Sequence, residues 1–252
     1  MGYSLIRSGE INEVPKFTYL WQAINEQQKK YISSYLTESK SQYVQDLFII
    51  SEIALRKLPP FFVEFGATDG ITLSNTYLLE KNFNWTGILA EPAKVWEKSL
   101  KENRNCFIDT RCVYSKTGEK IEFSETLSSN SEFKVSSPEL STIKNYADNK
   151  DWASDIRKNN SITYSVETVS LNDLLQSNNA PYNIGYLSID TEGSEFMILS
   201  SFDFSKHRIE IISVEHNHNI ENRKKINILL SQNGYFLKYE SIFGPDDIYI
   251  LR

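Results

Sequence analysis

Four short runs, Phe61–Phe65 (FFVEF), Thr86–Ala90 (TGILA), 184–189 (IGYLSI) and 209–214 (IEIISV), are almost uninterrupted in apolar and β-branched character. A strand with one face in water alternates apolar and polar residues, so unbroken runs belong to strands covered on both faces. Helix-compatible stretches follow the first two runs at 73–81 and 93–102, and a shorter apolar run occupies 106–109. Strand and helix alternating in this order predict an α/β fold: a parallel sheet with helices on both faces. The last two runs, 235–241 and 247–251, are separated only by a Phe-Gly-Pro-Asp turn. They predict an antiparallel hairpin at the sheet edge.

A chain of 252 residues lies at the upper edge of one domain and buries a core without disulfides or a metal. Upstream of Pro59 and Pro60 the texture is polar and Gln/Lys/Ser-rich, with apolar spacings of three and four over 17–36 and 43–58. These predict two amphipathic helices, the second stopped by the prolines. The chain therefore divides into an N-terminal helical extension, 1–58, and an α/β domain, 59–252. Within the domain the rhythm lapses over about 125–168, a Ser/Asn/Lys-rich stretch containing Tyr146 and Trp152. It is expected to be a substrate-facing insertion with one short helix near 139–158.

With 27 Lys+Arg against 33 Asp+Glu the net charge is −6, which gives no long-range attraction for nucleic acid or anionic lipid. No run approaches the roughly 18 apolar residues of a membrane span, and the first ten lack the apolar stretch of a secretory signal. Two cysteines, Cys106 and Cys112, make neither a disulfide framework nor a zinc site. A cytoplasmic setting is expected. Small-molecule or glycan substrates, and a second copy of the chain, are the partners left open.

The segment Val63-Glu64-Phe65-Gly66-Ala67-Thr68-Asp69-Gly70 carries the most chemistry. In open α/β sheets ligands collect at the carboxyl ends of the strands, where glycines let backbone approach them. Glu91 lies 21 residues beyond Gly70, the spacing at which an acid accepts hydrogen bonds from ribose hydroxyls. A pyrophosphate would want G-x-G-x-x-G, but only Gly66 and Gly70 are present, flanked by the carboxylates Glu64 and Asp69. Such a loop disfavours a nicotinamide dinucleotide and suits a ligand with a cationic amine and a sulfonium, S-adenosylmethionine.

The run FFVEFGATDGITLSNTYLLEKNFNWTGILAEP, the later YLSIDTEGSEFMIL and the following VEHN closely resemble the FkbM-type methyltransferases, a branch of the class I S-adenosylmethionine-dependent enzymes. The resemblance covers about 45–252. It implies a Rossmann-like class I methyltransferase fold, a seven-stranded, mostly parallel sheet with its last strand antiparallel. It also implies O-methylation of a sugar, glycan, glycan precursor or natural-product scaffold. The matching cofactor positions are Glu64, Gly66, Ala67, Thr68, Asp69, Gly70, Ser74, Asn75, Glu91 and Pro92, with Arg111 and Cys112 near the adenine. Alternatives are methylation of a small natural product or an amine, or a non-catalytic adenosine-binding module.

Asp190, Glu192, Gly193 and Glu195 follow the 184–189 run, and Glu215, His216, Asn217 and His218 follow 209–214. Both groups open on the same sheet edge as the glycine loop. Methyl transfer to an alcohol is an in-line displacement that needs a base and an orienting group. His216 is the expected base, its ordinary pKa being about 6.5, with Glu215 or Asp190 orienting it. Asp190 also has two other candidate roles, taking the proton itself or holding the methionine amine. A third arrangement has Asp190, Glu215 and His216 ligating one divalent ion, Mg2+ or another. Plainer roles are expected elsewhere. Glu192 and Glu195 flank a helix start, His207 and His218 face solvent, and the two cysteines are small buried apolar groups.

Overall fold

The computed structural model describes residues 14–128, 137–148, 153–240 and 242–252. Trp152, expected in the insertion, lies outside them. A capping box breaks what the spacing reads as one helix over 17–36: Asn25 accepts the Gln28 N–H, and the Gln28 side chain accepts that of Asn25. Reciprocal capping starts a helix afresh, so the chain forms α1 (Val14–Ala23) and α2 (Glu26–Ile32). α3 (Gln45–Ile53) is shorter than the helix expected over 43–58 and ends well before Pro59.

The strands β1 (Phe61–Phe65), β2 (Thr86–Ala90) and β3 (Phe107–Asp109) alternate with α4 (Tyr77–Phe83) and α5 (Glu97–Asn103). Both helices begin about four residues later than the spacing predicts, for one reason. The Glu64 carboxylate takes the Asn75 N–H and the Ser74 and Thr76 hydroxyls, and the Glu91 carboxylate takes the Ala93 N–H. Backbone held by a strand's carboxylate is not free to enter a helix.

The chain then leaves this sheet for β4 (Cys112–Tyr114), β5 (Lys120–Thr126), β6 (Thr142–Ile143), α6 (Ser154–Asn159) and β7 (Ser161–Ser170). These strands make a second sheet in the order β4-β7-β5-β6. The loop expected over 125–168 is thus replaced in large part by a ladder in which β5 and β7 pair antiparallel from Lys120↔Glu167 to Thr126↔Ser161. The single helix expected near 139–158 resolves into 3-10 turns at Ser137–Leu140 and Lys144–Tyr146 followed by α6.

The remaining elements, α7 (Leu171–Ser177), β8 (Asn183–Ile189), α8 (Glu195–Ser200), β9 (Arg208–Glu215), α9 (Ile220–Gln232), β10 (Tyr235–Lys238) and β11 (Asp246–Leu251), complete the large sheet. Its order is β10-β11-β9-β8-β1-β2-β3. β11 runs antiparallel to both neighbours and the other pairings are parallel. The last two strands do form the expected hairpin, but only β10 is at the edge.

Two apolar cores flank the sheet. On one side Phe62, Tyr186, Ile211 and Ile250 pack against Leu20, Ile32, Leu47 and Phe48 of α1–α3. On the other, Val63, Leu187 and Val214 meet Leu171, Leu174, Ile198 and Ile226 of α7–α9. The N-terminal helices therefore cover one face of the sheet. Among the described residues no helix is long and apolar enough to cross a membrane.

Candidate active site

The order β3-β2-β1-β8-β9 reverses between β1 and β8, the switch point at which open α/β sheets bind ligands. The carboxyl ends of β2, β1, β8 and β9 open there on one cavity of about 670 Å³, within the size range of small-molecule sites. Of the expected site residues, Glu64, Gly66, Thr68, Asn75, Glu91, Pro92, Cys112, Asp190 and Glu215 line it. The fold thus gathers side chains from positions 64 to 215 into a single cleft.

The glycine loop is organised from beneath. Arg104, with a fully buried side chain, donates to Glu80 at 2.7 Å, to the Gly70 carbonyl at 3.1 Å, and to the Ser74 and Thr76 hydroxyls. Its Nη1 also lies 3.7 Å from Glu64. Glu64 is therefore tied into a buried network, with Ser74 as part of it. Both glycines have positive φ, and each abuts protein: a Cβ on Gly66 would lie 2.1 Å from the Asp190 carbonyl oxygen, and one on Gly70 2.6 Å from Arg104. Close packing of strand tip and loop, rather than room for a ligand alone, requires glycine there. Asp69 closes a turn by accepting the Ile71 and Thr72 N–H groups, and Ala67 is buried in the core.

Glu91, at the tip of β2, accepts the Thr68 N–H at 3.0 Å and the Ala93 N–H at 2.8 Å. Burial nevertheless pushes its carboxyl up to about 7. Cys112 lines the cavity nearby, its thiol pushed up to about 12 by burial. Arg111 pairs with Asp109 at 2.7 Å and lines a smaller hollow of about 290 Å³ that shares Glu91 and Pro92 with the main cavity.

At the other end, Asp190, Glu192 and Glu215 bring carboxylate oxygens within 4.8 Å of one another. Burial, then the charge of Asp246, pushes Asp190 up to about 7, opposed by a hydrogen bond from Glu215. Burial and the charge of Asp190 hold Glu215 well above the ordinary carboxylate range. Two acids this close oppose each other's ionisation. Glu192 further receives Arg157 at 3.4 Å, while Glu195 accepts the Thr191 and Gly193 N–H groups, the loop-capping role expected for one of the pair.

His216 does not join this group. Its Nδ1 accepts the His218 N–H at 3.1 Å, and its Nε2 lies 3.9 Å from Asp247, which Arg223 already holds at 2.7 Å. Burial lowers its pKa. Glu192 stands where His216 was expected as the group's third member, because the residue after a strand's last inward position points to the sheet's other side. His218, expected in solvent, is exposed yet reaches the cavity rim.

Sequence reading missed five contributing residues. Arg104 carries no motif. Glu139 lines the cavity from the 3-10 turn Ser137–Leu140, in the stretch taken for a loop. Gln42, Tyr43 and Gln45 form a wall from the N-terminal segment, with Gln45 donating to Asp246 at 2.6 Å. Thr68, Leu73, Glu192, Asn217 and His218 all line the cavity with φ between 47° and 61°, a concentration of strained backbone typical of functional sites.

A large mixed sheet with an acidic cavity at its switch point defines an α/β protein. Residues 64–237 match the family model of the methyltransferase FkbM domain; the chain belongs to this family. Its structure is also similar to the crystal structure of methyltransferase FkbM from Methylobacillus flagellatus KT, at 11% sequence identity and a TM-score of 0.45. That similarity covers 96% of this chain and 60% of the other, so the chain spans about 60% of the protein it matches. No curated protein compared with the sequence matches it.

Proposed function

We propose that this chain is a class I S-adenosylmethionine-dependent O-methyltransferase, of Rossmann-like fold, acting on a hydroxyl of a sugar, glycan or glycan precursor in the cytoplasm. One observation carries the reading: the glycine loop, Glu91, Asp190 and Glu215 meet around one cavity at the switch point of the sheet. The carboxylates lining it and the volume fit a cationic, nucleoside-sized donor. When bound, that donor supplies an electrophilic methyl group on sulfonium.

The chain's own residues do the rest. Glu91 keeps a lone pair on each oxygen beyond its two backbone bonds, which suits ribose hydroxyls. The network of Arg104, Glu64, Ser74 and Thr76 holds the loop rigid, so that no ordering is left for the moment of binding. Asp190 is the proposed base. Its carboxyl titrates near neutrality, where proton transfer from an alcohol is most effective, and Glu215 gives it a hydrogen bond that orients it. His216 becomes a structural residue, turned toward Asp247.

Asp190, Glu192 and Glu215 also offer three hard oxygen donors, a set that suits Mg2+ better than the expected one with His216. An ion held there would lower the acceptor hydroxyl's pKa. Titration calorimetry with S-adenosylmethionine, then transfer of labelled methyl with and without chelator, tests the reading. No donor binding at millimolar concentration overturns it, and turnover unaffected by chelator removes the ion.

A further inference from the structure

Six carboxylates line the cavity, Glu64, Glu91, Glu139, Asp190, Glu192 and Glu215, and the described lining includes no lysine or arginine. Five of the six are answered. Arg104 stands behind Glu64 and Arg157 beside Glu192, two N–H groups serve Glu91, Asn217 donates to Glu215 at 2.8 Å, and Asp190 faces Glu215 across less than 4.8 Å. Glu139 differs. It is half-buried, it has no hydrogen-bond or ion-pair partner among the described residues, and the nearby charge of Asp69 opposes its ionisation.

A second group in the same cavity also lacks a partner. Asn75 is only 8% exposed, gives its Nδ2 to Ser188 at 2.9 Å, and leaves its buried Oδ1 without a donor. Both orphans are acceptors, and a buried acceptor left unmade is costly. The ligand that answers them brings N–H donors and positive charge. A phosphorylated acceptor, a sugar nucleotide for example, would meet carboxylates and, in the described lining, no lysine or arginine to answer it, an arrangement that selects against an anion.

We propose that the acceptor is an amine-bearing polyol, an aminated sugar in its simplest form, whose protonated nitrogen pairs with Glu139 while a hydroxyl is methylated. The inference rests on the O-methyltransferase reading and narrows it. Glu139 sits on a 3-10 turn, a wall separate from the strand tips and outside the glycine loop, and in this proposal that wall faces the acceptor. The cavity, about 670 Å³, leaves room for a sugar ring beside a nucleoside-sized donor.

The test is a calorimetric titration of the protein saturated with S-adenosylhomocysteine. Glucosamine, N-acetylglucosamine and glucose 6-phosphate present one ring with a cationic, a neutral and an anionic substituent. Glucosamine is expected to bind at least tenfold more tightly than N-acetylglucosamine, with glucose 6-phosphate weakest, and Glu139→Gln is expected to abolish the tenfold preference. Equal binding of the first two, a preference for the phosphate, no glucosamine binding, or a preference that survives Glu139→Gln overturns the proposal. The wild-type ranking decides even where the variant fails to fold. Failure of the protein to bind S-adenosylhomocysteine at all overturns the methyltransferase reading instead, so the two failures are distinct.

Discussion

Glu64 and Glu91 each close a strand of the large sheet, yet their surroundings assign them different work. Glu64 is the centre of a buried network completed by Arg104, whereas Glu91 has only backbone partners and faces the cavity. Removing Arg104 would leave Glu64 buried without a cation and Glu80 with Lys81 alone, at 3.2 Å. Arg104→Gln is therefore expected to cost about 3 kcal/mol in urea denaturation and to weaken donor binding, and a loss below about 1 kcal/mol would show that the network is not what holds the loop. The second contrast is between Asp190 and His216. Asp190→Asn is expected to lower kcat by about a hundredfold or more with donor affinity and unfolding midpoint kept, while His216→Ala stays within about threefold, below the contribution of a general base. The reverse ranking, measured with labelled donor, would restore the histidine as base. The sequence named both residues but not their facing: an ordinary pKa near neutrality makes His216 attractive, and only the contacts with His218 and Asp247 turn its ring away.

The buried strands were legible because covering both faces leaves an unbroken apolar run, and β1, β2, β8 and β9 stand within a residue or two of the runs that predict them. β5 and β7 were not, because their ladder mixes Ser, Thr, Glu and Tyr and half its positions face outward; nothing in such a run distinguishes a strand from a polar loop until its partner is known. Glu139 was lost with them. The small sheet lines the cavity with Cys112 and Val113 of β4, Phe123 of β5 and Ile143 of β6; beside the last, Thr142, almost fully buried, has its hydroxyl 3.1 Å from the Glu192 carbonyl and 3.3 Å from that of Thr191. This contact fastens the wall bearing Glu139 to the loop bearing Asp190. Thr142→Val keeps the shape and removes the donor, so it is expected to cost about 1 kcal/mol and to raise the acceptor KM severalfold while the donor KM changes little. Equal changes in both KM values would mean that the two walls do not meet over the acceptor.

For the whole molecule, the gathering of acids at one sheet edge couples stability to pH. Burial pushes Glu91, Asp190 and Asp246 each up to about 7, and Glu139 likewise, aided by Asp69. In the unfolded chain the same groups titrate near 4, so between about 4 and 7 the native state binds more protons than the unfolded one. Stability then falls as pH rises through that window: the contribution is complete below the unfolded pKa and lost as each group ionises near 7. Glu195 and Glu215, also raised by burial, act in the same sense, while His216, held low by burial, acts in the opposite one, one group against six. The ligand-free protein is therefore expected to melt at progressively lower temperature from about pH 5 to pH 8, opposite to the usual rise of carboxylate-paired proteins away from acid. Saturating S-adenosylmethionine should flatten the profile, because a cation in the cleft favours the ionised carboxylates. The same displacement should release protons on binding at pH 7, read as a dependence of the calorimetric enthalpy on the buffer's ionisation enthalpy. A melting temperature that rises across this range, or binding without proton release, would mean that these carboxyls are already ionised in the folded chain and that the cleft holds its negative charge before any donor enters.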